Sequence, residues 1–167
     1  RQNDLLCVSE CESSGVAGRS TASMTTGNRD LSLTVQRTVA FGDCDPAGIV
    51  YTPRVLDYCL EAIDELWRTM LDGRGWYELN VDHNRGTPFV NVNMNFTGPM
   101  TPREILEITV ELAKVGRTSI TFEVAASQSG RACFNGSLTS VIMEKGTMTK
   151  VGENDWTIAS VRAFIES

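Results

Sequence analysis

One helical repeat of apolar residues, followed by four segments of alternating apolar and polar residues, limits what this chain can fold into. Within residues 56–71 the apolar positions recur every three or four residues, which predicts a helix that buries one face. Thr52-Pro53 precedes the repeat as a predicted N-cap with proline at the first helical position, and Asp72-Gly73 follows it as a stop. The apolar positions are Leu56, Cys59, Leu60, Ile63, Leu66, Trp67, Met70 and Leu71, and the polar ones are Asp57, Glu61, Asp64 and Arg68.

The other regular segments have the two-residue period of β-strands. A first strand is predicted from Leu33 to Phe41, and four more follow the helix. Their alternation predicts one buried face on each strand, and the short turns between them predict antiparallel neighbours. Because a sheet and a helix must cover each other's apolar faces, we predict an α+β domain with one five-stranded antiparallel sheet. The four later strands are predicted at residues 90–96, 106–112, 120–124 and 132–143.

Length and composition favour one domain that is preceded by a tail. A chain of 167 residues with 41% hydrophobic content can bury one sizeable core, which we assign to residues 31–167. Residues 1–30 are rich in Ser, Gly, Thr and Asn, and they have neither helical nor strand periodicity. We expect them to form a disordered tail or an artificial extension, with Met24 as the natural start.

Charge and cysteine content argue against several classes of partner. A formal net charge of -6 and a pI near 4.8 argue against binding to the phosphate backbone of nucleic acids. No segment has the roughly 18 consecutive apolar residues of a membrane span, and the N-terminus lacks the apolar core of a secretory signal. We therefore expect a cytoplasmic protein without a nucleic-acid or membrane partner. The five cysteines are odd in number and lack zinc-binding spacing, which favours reduced thiols and no metal.

The best catalytic candidates are carboxylates. His83 is the one histidine and lies in a connecting segment, where it is poorly placed as a fixed general base. The chain has no phosphate-binding loop and no dinucleotide-binding glycine motif. By contrast, Asp43 and Asp45 lie between a strand end and a helix start, where free backbone N–H groups can bind a developing oxyanion. The residue pattern by itself is equally compatible with two aspartates that only cap turns.

The segment that carries these acids resembles the signature of a known enzyme family. Phe41-Gly-Asp-Cys-Asp-Pro-Ala-Gly-Ile-Val50 looks like the signature segment of hotdog-fold thioesterases of the 4-hydroxybenzoyl-CoA thioesterase-like family. The resemblance implies a hotdog fold, in which a long central helix is wrapped by the antiparallel sheet, and it implies an acyl-CoA thioesterase activity. It covers roughly residues 33–144, with further likenesses at Gly86–Val90, Asn93–Phe96, Ile105–Thr109 and Gly116–Ser119.

The resemblance also implies roles for residues near the helix start. Asp45 matches the family's catalytic carboxylate, which acts as a nucleophile on the thioester carbonyl or as a base for water. Thr52 matches the position whose backbone N–H polarises that carbonyl, and the compared family member has tyrosine there. We assign the neighbouring Tyr51 to the substrate contacts. Asp43 is predicted to be a hydrogen-bonding turn residue, and Cys44 is predicted to pack.

Cationic residues are needed for the phosphates of coenzyme A. The resemblance points to Arg117, in the turn before a predicted strand, and to the nearby Lys114. Arg54, close to the helix start, is a further candidate, and Arg131 is another. The resemblance also implies a homodimer or homotetramer with active sites between protomers. No cofactor is expected, because coenzyme A is part of the substrate.

Two other functions agree with the same residues. A hotdog domain can bind an acyl thioester or an aromatic acid without hydrolysing it, because a shared fold does not guarantee activity. A thioesterase that acts on acyl carrier protein needs fewer cationic contacts than one that acts on coenzyme A. For an acyl-CoA thioesterase, we expect an acyl group that is aromatic or small to medium in size. Trp76 and Tyr77 are expected to form a pocket wall or a cover, whereas Trp67 and Met70 are expected to lie in the core.

Overall fold

The fold is described by a computed structural model for residues 31–167, so the predicted tail lies outside the described residues. The order of one strand, one helix and four strands agrees with the sequence pattern, and a C-terminal helix follows them. The elements are β1 (Ser32–Thr38), a 3₁₀ turn (Phe41–Asp43), α1 (Thr52–Met70), a π-helical turn (Glu78–Asp82), β2 (Arg85–Gly86), β3 (Phe89–Phe96), β4 (Ile105–Val115), β5 (Ser119–Gln128), β6 (Arg131–Val141), β7 (Met143–Glu144), β8 (Thr149–Lys150) and α2 (Trp156–Glu166).

The main sheet has five strands in the order β1-β4-β5-β6-β3, and every neighbouring pair is antiparallel. Helix α1 shares one hydrophobic core with this sheet. Within that core, the Trp67 ring meets the Phe122 ring edge to face, with 5.9 Å between the ring centres. The predicted α+β class, the five-stranded antiparallel sheet and the long helix packed against it are therefore confirmed.

Helix α1 buries the predicted face but starts differently from the prediction. Trp67 and Met70 are buried, as expected of core residues. The predicted N-cap is wrong: Tyr51 is the N-cap residue, and Thr52 is already helical. The Tyr51 backbone is extended, with a ψ of 124°, and its N–H donates to the Asp43 carbonyl oxygen at 2.8 Å. This contact with a residue earlier in the chain holds Tyr51 outside the helix, so the helix begins directly after it.

Strand β3 departs from the prediction that each strand buries one face. The exposed fractions are 63% for Val90, 45% for Val92 and 46% for Phe96. β3 lies at the edge of the sheet, where it pairs with β6 alone, and its register shifts between Phe89 and Asn91. The alternation therefore predicted the strand correctly, but these three apolar side chains remain exposed in the single chain.

A second, small sheet and helix α2 complete the fold. β2, β7 and β8 form this sheet in the order β2-β7-β8, which was not predicted because each strand has only two residues. Arg85 of β2 forms a largely buried ion pair with Asp155, with 2.7 Å between Nη2 and Oδ2. Asp155 also accepts a hydrogen bond from the Thr157 N–H at 3.0 Å and so caps α2. Over residues 31–167, neither helix combines the length and the apolar character needed to cross a membrane.

The main sheet has two ends that are used below to place the site. Thr38 lies opposite Ile105 at one end, which we call the Ile105 end. Val115 lies opposite Ile120 at the other, which we call the Val115 end. Strand β4 joins the two ends with 11 residues, which corresponds to about 33 Å of extended chain. Because β3 runs antiparallel to β4 through the intervening strands, β3 begins at the Val115 end and finishes at the Ile105 end.

Candidate active site

The loop of residues 40–51, which we call the acid loop, folds back on itself at the Ile105 end of the sheet. The Asp45 N–H donates to the Ile49 carbonyl oxygen at 2.9 Å, and the Gly48 N–H donates to the Asp45 carbonyl oxygen at 2.9 Å. Gly48 has a φ of 78°, a left-handed conformation that favours glycine. These bonds hold Asp45 at the start of a tight turn.

The Asp45 carboxylate is oriented by the backbone but is not neutralised by a cation. Its Oδ1 accepts a hydrogen bond from the Ala47 N–H at 2.8 Å. No lysine, arginine or histidine within residues 31–167 forms an ion pair with it. The residue is only half-buried, so a substrate can reach it. A carboxylate in this state is suited to attack a carbonyl carbon or to remove a proton from water.

The start of helix α1 leaves the Thr52 N–H available next to the acid loop. Pro53 has no N–H, and the Arg54 N–H donates to the Tyr51 carbonyl oxygen at 2.8 Å. The Tyr51 N–H is already used by Asp43. In the described chain, Thr52 is therefore the residue at this helix start whose N–H has no backbone acceptor. At the positive end of the helix dipole, this N–H is suited to bind an oxygen that gains negative charge.

Asp43 ties the acid loop to the helix. Its Oδ2 accepts hydrogen bonds from the Tyr58 hydroxyl at 2.7 Å and from the Ala40 N–H at 3.2 Å. The Arg54 Nε lies 3.7 Å from its Oδ1. The Tyr58 hydrogen bond, helped by the Ala40 N–H and nearby arginines and opposed by burial, lowers the pKa of Asp43. Burial and the hydrogen bond to Asp43 raise the pKa of Tyr58 to about 12. The predicted hydrogen-bonding role of Asp43 is confirmed.

Arg37 and Glu61 extend this contact between β1 and α1. The Arg37 guanidinium lies 4.0 Å from the centre of the Tyr58 ring, and it forms an ion pair with Glu61. This group was not predicted, because its members lie on two elements and no local spacing relates them. The available signal in the sequence was Tyr58, a tyrosine at the border of the polar face of the predicted helix, where its hydroxyl can reach polar groups of another element.

Two clefts meet at Leu60 and Trp76. The first, which we call the acidic cleft, is lined in part by Asp43, a residue of the acid loop two positions before Asp45. Trp76 is thus part of a pocket wall, which was one of its two predicted roles, whereas Tyr77 is largely exposed. The acidic cleft has a volume of about 360 Å³ and is lined by Arg37, Asp43, Arg54, Asp57, Tyr58, Leu60, Glu61, Asp64 and Trp76. The second, which we call the apolar cleft, has a volume of about 480 Å³ and is lined by Leu60, Trp76, Asn80, Gly86, Thr87, Pro88, Phe89, Met143, Lys145 and Met148.

Two of the predicted cations lie at the same end of the sheet as the acid loop. Arg54 is engaged with Asp57, at 3.1 Å, and with Asp43. Arg131 is exposed at the start of β6, and its backbone pairs with Gln128 at the Ile105 end. Arg54 therefore has its charge offset by its neighbours, whereas Arg131 forms no ion pair within residues 31–167.

The other two predicted cations do not converge on Asp45 within one chain. Lys114 is exposed near the end of β4, and Arg117 is exposed in the turn that follows. Both lie at the Val115 end, so the length of β4, about 33 Å, separates them from the acid loop. A single chain therefore holds the candidate acid and these cations at opposite ends of its sheet.

Other nucleophiles have no comparable arrangement in the described residues. Burial raises the pKa of the Cys59 thiol to about 12, so this thiol stays protonated. The Cys44 sulfur lies 3.7 Å from the Ala40 carbonyl oxygen and packs against the core, as predicted. His83 packs against Trp156, with 5.0 Å between the ring centres. Within residues 31–167, no group of three or more potential metal ligands is close enough to hold an ion.

The fold and the site together define the class of protein. A long helix packed against a five-stranded antiparallel sheet, with an acid loop at the helix start, is the arrangement of a hotdog-fold protein. A family model described as the Thioesterase-like superfamily matches residues 39–158, which is more than half of the chain. The match includes the whole acid loop, helix α1 and the later four strands of the main sheet. The chain belongs to the thioesterase-like superfamily.

Two relatives with assigned activities are similar to part of the chain. The 1,4-dihydroxy-2-naphthoyl-CoA hydrolase of Nostoc punctiforme is 32% identical over 101 residues, which cover 59% of this chain and 66% of that protein. The 4-hydroxybenzoyl-CoA thioesterase of Pseudomonas sp. strain CBS-3 is 35% identical over 85 residues, which cover 46% of this chain and 55% of that protein. The chain thus matches no more than 66% of the length of either relative.

Solved structures support the fold. A thioesterase superfamily protein from Jannaschia sp. CCS1 superposes with a TM-score of 0.73 at 38% identity, covering 86% of this chain and 96% of that one. The Pseudomonas 4-hydroxybenzoyl-CoA thioesterase superposes with a TM-score of 0.68 at 23% identity, covering 77% of this chain and 98% of that one. The hotdog fold implied by the acid-loop sequence is therefore confirmed.

Proposed function

We propose that the chain is an acyl-CoA thioesterase, which hydrolyses an acyl-CoA to the free acid and coenzyme A. Membership of the thioesterase-like superfamily and the names of the two relatives, both of which act on acyl-CoA, support this proposal. The observation that carries it is the Asp45 carboxylate. The acid loop orients this group near a helix start, without a cationic partner in the described chain.

Asp45 is proposed to supply the attacking group by one of two routes. As a nucleophile, its oxygen adds to the thioester carbonyl carbon, the C–S bond breaks, coenzyme A leaves as a thiolate that takes up a proton, and water hydrolyses the resulting anhydride. As a general base, the carboxylate takes a proton from water while the water oxygen adds to the same carbon, and that proton passes to sulfur as the C–S bond breaks. Both routes consume water and yield an acid and a thiol. The carboxylate oxygen that Ala47 does not hold is suited to either.

The Thr52 N–H is proposed to bind the thioester carbonyl oxygen. Negative charge develops on that oxygen in the transition state, so a fixed donor stabilises the transition state more than the substrate. The donor belongs to the backbone, so it is kept although Thr52 stands where the compared family member has tyrosine. The exposed Tyr51 side chain, next to this N–H in the chain, is proposed to contact the substrate.

Coenzyme A is proposed to bind between two chains. The exposed Val90 and Val92 of the edge strand β3 support a homodimer formed across that strand. Two-fold symmetry pairs β3 with its copy in antiparallel fashion, which brings the Val115 end of one chain to the Ile105 end of the other. In this dimer, the acid loop lies at the same end of the joined sheet as the partner subunit's Lys114 and the partner subunit's Arg117, and these cations are proposed to hold the phosphates of coenzyme A while its thioester reaches Asp45. Two such dimers would form the homotetramer that the resemblance also allows.

The acyl group is proposed to be aromatic or small to medium in size. Both relatives are named for aromatic acyl-CoA substrates. The clefts, of about 360 and 480 Å³, have the size of small-molecule pockets. Hydrolysis requires only water as co-substrate, so we propose neither a cofactor nor a metal. A cytoplasmic location agrees with the free thiols of Cys44, Cys59 and Cys133.

Thiol release from a panel of aromatic and aliphatic acyl-CoAs tests the proposal. We expect one acyl class to be hydrolysed, and we expect Asp45→Asn to lower kcat at least about 100-fold, because an amide neither attacks the carbonyl nor takes a proton from water. The matched control is Asp72→Asn, the same change at an exposed position with a φ of 52° that asparagine adopts readily. Its kcat should not change. Full activity in the Asp45→Asn chain would refute the carboxylate assignment.

The same panel separates the two alternative functions. Binding of acyl-CoA without thiol release would favour a non-catalytic hotdog domain that holds an acyl thioester or an aromatic acid. Hydrolysis of acyl carrier protein thioesters in preference to acyl-CoA would favour a carrier-protein thioesterase, in which a protein surface replaces the nucleotide contacts.

A further inference from the structure

Two backbone hydrogen bonds inside the acid loop connect Asp45 to the start of helix α1. The inner bond runs from the Asp45 N–H to the Ile49 carbonyl oxygen at 2.9 Å, and the outer bond runs from the Tyr51 N–H to the Asp43 carbonyl oxygen at 2.8 Å. The first limb of the loop carries Asp45, and the return limb leads directly into Thr52. The position of the Asp45 carboxylate relative to the Thr52 N–H therefore depends on how firmly the outer bond is held.

Tyr58, within the first two turns of helix α1, holds the outer bond from outside the acid loop. Its hydroxyl donates to Asp43 Oδ2 at 2.7 Å, and the same oxygen accepts from the Ala40 N–H at 3.2 Å. Asp43 thus binds Tyr51 through its carbonyl oxygen and Tyr58 through its carboxylate. A single residue therefore couples the outer bond of the loop to the side of the helix.

The Tyr58 side chain is itself fixed. It is only 1% exposed, and the Arg37 guanidinium, which pairs with Glu61, lies 4.0 Å from the centre of its ring. A buried hydroxyl costs free energy unless it forms a hydrogen bond, whereas a phenylalanine would fill almost the same space without that requirement. The hydroxyl at this position is therefore explained by what it holds, which is Asp43.

We propose that Tyr58 is a positioning residue, which sets the distance between the Asp45 carboxylate and the Thr52 N–H by holding Asp43. This inference rests on the proposed thioesterase function, and it adds a residue that acts through Asp43 and not on the reacting atoms. Asp45 must reach the thioester carbonyl carbon while the Thr52 N–H binds the oxygen of the same carbonyl. Because these two atoms share one bond, a small shift of the acid relative to the donor slows the reaction.

Tyr58→Phe tests the proposal, because it keeps the ring and removes the hydroxyl. With the acyl-CoA that the native chain hydrolyses best, we expect kcat to fall about tenfold and KM to stay unchanged, since alignment matters in the transition state and not for binding. The measurement is steady-state thiol release. An unaltered kcat would overturn the proposal. A rise in KM with an unaltered kcat would mean that Tyr58 contacts the substrate, and it would overturn the proposal as well.

A double-mutant cycle with Asp43→Ala tests whether Tyr58 acts through Asp43. In the Asp43→Ala chain, Tyr58→Phe should lower kcat less than about twofold, because the hydroxyl has no carboxylate left to hold. An undiminished tenfold loss there would overturn the proposal. The control is Ile158→Val, which trims a fully buried side chain of helix α2 and should lower stability without changing kcat. An equal loss of kcat in this control would mean that kcat follows overall stability, which also contradicts a positioning role.

Hydrogen exchange of backbone amides gives a readout that needs no turnover. In the Tyr58→Phe chain, the amides of Asp45 and Tyr51 should exchange about tenfold faster than in the native chain, and in the Ile158→Val chain they should not. If the native chain hydrolyses no thioester but this change is seen, the thioesterase function fails and the role of Tyr58 in holding the acid loop stands. Unaltered exchange of both amides would overturn the Tyr58 assignment even where hydrolysis occurs.

Discussion

The Ile105 end and the Val115 end of the main sheet differ in how they are held and in what they offer a substrate. At the Ile105 end, backbone hydrogen bonds fold the acid loop around Asp45, and the neighbouring cleft is rich in carboxylates. At the Val115 end, Lys114 and Arg117 are exposed at a short connection between β4 and β5. One end offers an oriented acid, and the other offers positive charge.

One chain therefore carries the two parts of the proposed site, the acid and the cations, at separate ends of its sheet. Strand β4 keeps them about 33 Å apart, and a hydrogen-bonded sheet cannot fold back to join them. In the proposed dimer, two-fold symmetry across β3 brings unlike ends together. Folding then orients the acid, whereas association supplies the cations. The exposed apolar side chains of β3 agree with this division, because a partner chain would cover them.

Mixing two defective chains tests directly whether the acid and the cations of one site come from different chains. Of the experiments described here, it has the largest expected effect. One chain carries Asp45→Asn, and the other carries both Lys114→Ala and Arg117→Ala. Each mixed dimer then has one intact site, so random mixing should restore about a quarter of the native kcat/KM. The measurement is thiol release at low substrate concentration after the two chains are unfolded and refolded together.

Each defective chain, refolded by itself, is the control for this experiment. We expect almost no activity from the Asp45→Asn chain and about a tenth of the native kcat/KM from the chain without the two cations, so both should stay below the mixture. Activity that does not rise on mixing would mean that the acid and the cations act within one chain or that these cations are not used. An active monomer at any protein concentration would contradict the shared site as well.

Removing the cations alone tests what the Val115 end contributes to acyl-CoA binding, and a smaller effect is expected. In the Lys114→Ala, Arg117→Ala chain, KM for acyl-CoA should rise about tenfold, because two exposed charges that contact phosphates each contribute modestly. The same acyl group on N-acetylcysteamine, which has no phosphates, should react at an unchanged rate. The matched control removes two exposed cations elsewhere, by Arg74→Ala and Lys150→Ala. An equal rise of KM in this control would mean that overall charge, and not the Val115 end, attracts the substrate.

The smallest effect concerns how firmly the acid loop is held at the Ile105 end. Tyr58→Phe removes the main hydrogen bond that lowers the pKa of Asp43, and it should lower the free energy of unfolding by about 1.5 kcal/mol at neutral pH. A lowered pKa in the folded state means that the contribution is present above the ordinary aspartate value of 3.8 and is lost as the pH falls through the folded-state pKa. The difference between native and Tyr58→Phe chains should therefore shrink in acid.

Urea unfolding of both chains, from neutral pH to below 3.8, measures this difference. Tyr77→Phe is the matched control, because Tyr77 is exposed and the same change should leave stability unaltered there. A stability difference between native and Tyr58→Phe that does not depend on pH would show that Tyr58 acts by packing and not through the Asp43 carboxylate.

Most of the architecture could be predicted because its signals are local. The repeat from Leu56 to Leu71 has the period of a helix that packs on one side, and the alternation around Ile108 or Phe122 has the period of a strand with one buried face. Short connections then force antiparallel neighbours. The candidate acid was also within reach of the sequence, because the ten residues from Phe41 to Val50 are contiguous and resemble a family signature.

The rest of the site depends on contacts between residues that are far apart in the sequence. Tyr58 meets Asp43 across 15 positions, and Trp76 packs on Phe89 from a connection whose local structure had no periodic signal. The start of helix α1 was misplaced for the same reason. The hydrogen bond from Tyr51 to Asp43 belongs to the folded acid loop, and side-chain preferences at Thr52-Pro53 do not report it.

The sequence alone was enough to predict the class of fold, the order of its helix and five main strands, and a candidate acid, Asp45, for the proposed attack on a thioester. These features rest on hydrophobic periodicity and on a contiguous motif, both of which act over a few residues. The tertiary structure was needed to show that β3 keeps apolar side chains exposed, that Trp76 lines two clefts, and that Lys114 and Arg117 lie a strand's length from Asp45. Burial, hydrogen-bond satisfaction and distance are properties of the packed chain, so they exist only once all of its elements have come together.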